Sequence, residues 1–154
     1  NKLFAKLFLR GINSDMMKKV QADYNTLLLG AAPLEDKVLI DDFIALVNHG
    51  IKLDLGIALQ GLSTDMINLK DVSVDTTLVV AQNDYSDKQS PLALIGLLDI
   101  TSKVKVHKED RATLESLGLT SAAEFALGKE EGDFFIYEIA MKKGAVSVNG
   151  QTIQ

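Results

Sequence analysis

The stretch Asp133–Gly150, DFFIYEIAMKKGAVSVNG, restricts the fold more than any other part of the chain. Tyr137, Ile139 and Met141 are apolar at a spacing of two, and Val146 and Val148 repeat that spacing. This period belongs to a half-buried strand, whose successive side chains point to opposite faces. Lys143-Gly144 lies between the two runs, and Gly supplies the positive φ of a tight hairpin turn. With these two residues as the loop, Lys142 faces Ala145, Met141 faces Val146 and Ile139 faces Val148. Each apolar residue of the second strand then meets an apolar partner, and a one-residue slip destroys the match. Asn149-Gly150 is a second turn, after which Gln151–Gln154 begins another short strand.

Two further long strands share this period. Ile51, Leu53, Leu55, Ile57 and Leu59 alternate with Lys52, Asp54, Gly56, Ala58 and Gln60, and a turn over Gly61–Asp65 follows. Leu98, Ile100, Val104 and Val106 alternate with Asp99, Thr101, Lys103, Lys105 and His107. Between them, Ile67 and Leu69 open a strand whose later apolar positions are Val72, Val74, Leu78 and Val80. The parity switches near Lys70-Asp71, which predicts a bulge or turn there. The strands Val72–Val80 and Asp99–Val106 are expected to lie in one sheet with matching faces, with Asp71, Ser73, Asp75 and Thr77 on the polar face of the first and Thr101, Lys103, Lys105 and His107 on that of the second. Asn83–Ser90, NDYSDKQS, reads as an exposed loop.

The helical segments show three-to-four spacing. Leu3, Phe4, Leu7 and Phe8 predict a short N-terminal helix, interrupted by Gly11; its apolar stripe is expected to cover its own domain or to contact a second copy. Ser14 and Asp15 open a helix through Met16, Met17, Val20, Tyr24, Leu27 and Leu28, with Gly30 as its stop. Pro33 opens another, through Val38, Leu39, Phe43, Leu46 and Val47, ending at Gly50. Pro91 starts a short apolar helix over Leu92–Leu97. Glu109–Leu127 is helical and split by Gly118, with a capping box from Ser121 to Glu124. Runs of strands and runs of helices without strict alternation predict an α+β fold. We expect an antiparallel sheet of about five strands, with helices packed on one face and a C-terminal β-hairpin, in a single domain over residues 1–154.

Composition narrows the function classes. The formal charge of −5 opposes a nucleic-acid grip, which needs concentrated Lys and Arg. Trp is absent and aromatics are few, which opposes base-stacking platforms, and Cys is absent, so thiol nucleophiles, disulfides and thiolate metal sites do not arise. No run of residues approaches the roughly 18 apolar positions of a membrane span. The chain starts at Asn1, which we read as the boundary of a C-terminal fragment from a longer, anchored protein.

Candidate chemistry is sparse. Asp71-Val-Ser73-Val-Asp75 opens like a calcium loop, but Thr76 replaces its Gly and Gln82 its Glu. Gly56–Gly61 has phosphate-loop spacing, but Leu62 stands where Lys is required. His49 and His107 lack further ligands at metal spacing and read as surface residues. Asn83, Asp84 and Asp87 read as a solvated turn rather than a cation site. Glu130, Glu131 and Asp133 read as a charged turn rather than an acid–base pair. No Ser has a nucleophile-elbow context. We assign no catalytic, cofactor-binding or metal-binding residue and expect no cofactor.

The order of elements resembles the YdgA family, bacterial envelope proteins of unknown function. The resemblance rests on the strand containing Tyr137, the turn at Lys143-Gly144 and the following AVSVNGQTI. Upstream it includes ALVNHG, IKLDLGIAL, VSVDTTLVV and PLALIGLLDITSKVKV, and it spans roughly residues 35–153. Asp71 stands where the family often has Gly. The resemblance implies a periplasmic domain, inner-membrane-anchored in the full-length protein, and carries over no functional residues. We therefore expect a non-enzymatic envelope domain that binds or scaffolds, with a protein partner or a homodimer and without nucleic acid. The alternative is a carrier that binds a lipid-like apolar ligand between sheet and helices. Against the carrier stands the plainer reading that the apolar face is simply the core.

Overall fold

The computed structural model describes residues 2–10, 14–29 and 36–153. In chain order its strands are β1 (Lys2–Arg10), β2 (Ile51–Ser63), β3 (Asn68–Val80), β4 (Leu98–His107), β5 (Lys129–Glu131), β6 (Phe134–Lys142), β7 (Ala145–Val148) and β8 (Gln151–Thr152). Its helices are α1 (Ser14–Leu29), α2 (Asp36–His49), α3 (Leu92–Leu97), α4 (Arg111–Ser116) and α5 (Ala122–Phe125). All strands belong to one antiparallel sheet of eight, ordered β1-β2-β3-β4-β6-β7-β8, with β5 paired to β6. The expected α+β class holds, and β1, β5 and β8 extend the five strands that alternation marks most clearly.

The C-terminal hairpin has the register its apolar pattern demands. Ile139 pairs with Val148, Met141 with Val146 and Lys142 with Ala145 around a turn at Lys143-Gly144. β3 and β4 are neighbours with matching faces, pairing Val72 with Val106, Val74 with Val104 and Asp75 with Lys103. Opposite charges placed directly across such a pair add a few tenths of a kcal/mol. The apolar rows continue across the sheet: Leu53, Leu78, Ile100, Met141 and Val146 are successive partners. The reverse face carries Asp54, Thr77, Thr101, Ala140 and Ser147 in one such row.

The first ten residues correct the helical expectation, because Lys2–Arg10 is a strand. Its register supplies the reason. Leu3, Ala5, Leu7 and Leu9 fall opposite Leu59, Ile57, Leu55 and Leu53. A nine-residue helix is marginal on its own, whereas a strand of this length gains a full ladder from its neighbour. The expected stops and starts at Gly11, Gly30 and Pro33 lie outside the described residues.

β2 also runs further than expected, to Ser63, and the turn occupies Thr64–Ile67, closed by the Thr64 N–H to the Ile67 carbonyl at 2.8 Å. The parity break falls at Lys70-Asp71 without an inserted residue, since Gln60 pairs with Asp71 and Leu62 with Leu69. Leu69 and Val72 are three apart yet pack in the same core. A regular pleat does not allow that. Asp110 stabilises the break: its Oδ1 accepts from the Lys70 N–H at 2.7 Å and its Oδ2 from the Asp71 N–H at 2.8 Å. Consecutive amides of a flat strand point opposite ways, so one carboxylate reaches both only where the strand is kinked. Asp110 is 2% exposed, and neither oxygen is left without a donor.

Gly50 ends α2 with φ +90, and a Cβ there would sit 3.1 Å from the Val80 carbonyl oxygen. The loop Asn83–Ser90 is not simply exposed. Tyr85 is buried, and the Asn48 side chain donates to its carbonyl at 2.8 Å. The Asn83 amide donates to Val47 and Ala81 carbonyls at 3.0 and 2.9 Å, tying the loop to the end of α2. The main core lies elsewhere. Leu69, Val106, Leu114 and Phe125 form it, with Leu59, Val72, Phe135 and Tyr137 packed against them. It joins α4 and α5 to the apolar face of β3, β4 and β6.

Candidate functional site

Beside that core the cap formed by α4 and α5 does not close fully on the sheet. A groove of about 490 Å³ remains. Its floor is Val72 and Val74 of β3, Val104 and Val106 of β4, Tyr137 and Ile139 of β6, and Val146 and Val148 of β7. Its roof is Leu114, Leu119, Phe125 and Leu127, and Ile153 lies at its edge. The floor follows from period-two alternation on four adjacent strands. The roof follows from Gly118 (φ +68), which ends α4, and from the capping box that starts α5.

Several contacts fix roof against floor. Phe125 meets Phe135 and Tyr137 edge-on, with ring centroids 5.5 and 6.1 Å apart. The Tyr137 hydroxyl donates to the Phe125 carbonyl at 3.3 Å. Burial pushes the Tyr137 phenol up to about 12, against a smaller opposing pull from Arg111. Gly128 passes so close to Tyr137 that a Cβ would lie 2.7 Å from the ring. Asn149 closes the remaining gap. β5 and β7 share one edge of β6, at Phe134–Ile136 and at Ile139–Lys142. Between them the Asn149 Oδ1 accepts from the Glu138 N–H at 2.8 Å, and its Nδ2 donates to the Ile136 and Leu127 carbonyls at 3.2 and 2.7 Å. The side-chain amide thus stands in for a missing stretch of strand and holds the chain leaving α5 (Leu127) to the sheet.

Polar groups at the groove are few and already engaged. Glu124 Oε2 accepts from the Ser121 N–H at 2.7 Å and from the Thr120 hydroxyl at 3.2 Å. The Ser121 backbone bond, followed by those of the Ser121 and Thr120 side chains, holds the Glu124 carboxyl below its ordinary range. The site is therefore shaped for an apolar body, with little capacity to specify a polar one.

The residues considered from sequence do not converge on a second site. Asp71, Ser73 and Asp75 are strung along β3, so they do not wrap one ion. Gly56 and Gly61 lie within β2, and no helix N-terminus follows them. His49 ends α2, and His107 accepts from the Glu109 N–H at 3.2 Å while meeting the Phe134 ring edge-on at 5.3 Å. Asp84 and Asp87 are exposed, while the Asn83 amide is spent on backbone carbonyls. Glu130 pairs with Lys108 at 2.8 Å and Glu131 with Lys129 at 3.0 Å. These two belong to β5 rather than to a turn; Asp133 alone lies in the turn, and its carbonyl accepts from the Lys108 N–H at 2.8 Å. Among the described residues no group of three His, Asp or Glu is placed to hold a metal ion, and no helix is long and apolar enough to cross a membrane.

Sequence reasoning missed Asp110, Asn149 as a clamp, and the Gly128–Tyr137 contact. Only Asn149 carried any sequence signal, as half of an Asn-Gly turn. No family model, curated protein or solved structure matches the chain.

Proposed function

We propose that the chain is a non-enzymatic binding domain of the bacterial cell envelope, and that it carries a lipid-like apolar ligand in the groove beneath α4 and α5. The observation that carries this reading is the groove itself, about 490 Å³ lined almost wholly by Val, Leu, Ile and aromatic side chains. Its volume falls within the usual range of small-molecule sites. The envelope assignment comes from the resemblance to the YdgA family and is tested separately, by fractionating cells that express the full-length protein.

Native mass spectrometry of protein purified from its own cells tests the carrier. A co-purifying acyl species is the expected result. Absence of such a species, together with no uptake of an environment-sensitive acyl probe, would remove the reading. Val146→Trp, which fills the groove from a half-buried hairpin position, is expected to abolish probe uptake while the melting temperature stays near that of the parent.

A scaffold for a protein partner is the second reading. It is favoured by exposed apolar side chains on the other helical unit: Tyr24, Leu28 and Leu29 on α1, and Ile40 and Phe43 on α2. Cross-linking of the full-length protein in its native envelope distinguishes the two, because a scaffold yields protein adducts on α1 and α2 while a carrier does not require them.

A further inference from the structure

Among the described residues one charged side chain lines the groove, and it stands at the mouth. This is Glu124, the third residue of α5 and itself exposed. Its place is fixed by the capping box. The carboxylate accepts from the Ser121 N–H, and the Ser121 hydroxyl accepts from the Glu124 N–H at 3.3 Å. The Thr120 hydroxyl, the other polar group at the mouth, is already donated to the same carboxylate. Those bonds hold its pKa below the ordinary carboxyl range. Among the described residues no ion pair reaches Glu124. The cation on the cap, Arg111, lies 5.2 Å from the Phe125 ring and is paired with Glu115 at 2.9 Å.

We infer that the groove takes a single-chain amphiphile whose head carries no negative charge, and that Glu124 is the residue that turns free fatty acids away. The inference rests on the reading of the groove as an apolar-ligand site and adds the class of ligand. A hydrocarbon chain gains the same burial whatever its head. The head remains at the mouth, where Glu124, the one charged lining side chain among the described residues, is an anion. Because the mouth is wet, the discrimination is modest, about three- to tenfold at low salt.

The experiment uses the whole chain and three probes with one common chain: laurate, monolaurin and lauryltrimethylammonium, each below its micellar concentration. Displacement of an uncharged fluorescent acyl probe at neutral pH reads the affinities. Monolaurin and lauryltrimethylammonium are expected to bind about three- to tenfold more tightly than laurate, and added salt narrows the gap. Glu124→Gln preserves the capping box, since Gln serves at that position as Glu does. In that variant laurate rises to the affinity of monolaurin, and monolaurin itself is unchanged. Equal binding of all three probes by the parent protein overturns the inference while leaving the apolar site standing. So does a Glu124→Gln variant, folded by its melting curve, in which laurate remains weak. Failure of every probe to bind the parent removes the apolar-site reading itself.

Discussion

The cap and the N-terminal helical unit use helices in opposite ways. α4 has six residues and α5 four, while α1 has 16 and α2 14. The short pair is the better anchored. Leu114 and Phe125 are 8% and 3% exposed, in the core that ties cap to sheet. Asp110 and Asn149 add hydrogen bonds from both ends of the connection. On the long pair Leu29 is 80% and Phe43 54% exposed. Its polar ties are Lys19 of α1, which pairs with Asp23 on its own helix and with Asp42 on α2, and Asn48 of α2, which donates to the Tyr85 carbonyl. A short helix has little intrinsic stability, so α4 and α5 exist because tertiary contacts hold them. A longer helix needs less from its neighbours, and α1 and α2 leave apolar surface uncovered.

Five substitutions test that contrast. Asp110→Ala removes the buried acceptor of two part-buried amides, and we expect a loss of about 2–4 kcal/mol in denaturant unfolding. A loss below that of an exposed salt bridge would show that water replaces the carboxylate. Asn149→Ala removes three side-chain hydrogen bonds, with an expected cost of about 2 kcal/mol. Asn149→Gly keeps the positive φ available, so its residual loss isolates the clamp from the backbone. Ser121→Ala breaks the capping box, for about 1 kcal/mol. Faster amide exchange confined to α5 and the neighbouring sheet would localise the effect. Phe43→Ala, on α2, is expected to stay within about 0.5 kcal/mol. A loss comparable to that of Asp110→Ala would mean that the long helices are held as firmly as the cap, and the contrast would fail.

Much of the sheet was legible because its period is two and its apolar partners match. The Ile139–Val148 register followed from parity and the Lys143-Gly144 turn, and the matching faces of β3 and β4 from parity. The first ten residues misled because KLFAKLFLR satisfies two periods at once. Leu3, Phe4, Leu7 and Phe8 fit a helix, while Leu3, Ala5, Leu7 and Leu9 fit a strand, and β2 decides between them. The capping box from Ser121 to Glu124 was legible, being local. The groove was not, because its size depends on how far α4 and α5 stand from the sheet. Asp110 was hidden for a related reason. Lys70 and Asp71 lie about 40 positions away in sequence, and no pattern links a charged residue to amides at that distance.

The placement of the cap has a consequence for the order in which the molecule assembles. β2 to β3 and β6 to β7 are hairpins between sequence neighbours, which close quickly because little chain entropy is lost. The cap lies in the connection from β4 to β6, and its anchors are Tyr137 on β6 and Asn149 beyond β7. The roof is therefore set only once β6 has paired and the turn at Asn149 has formed. Until then the valines of β3 and β4 are uncovered, in a chain that already holds most of its ladder. The turn at Asn149 acts as the fastener that encloses the apolar floor.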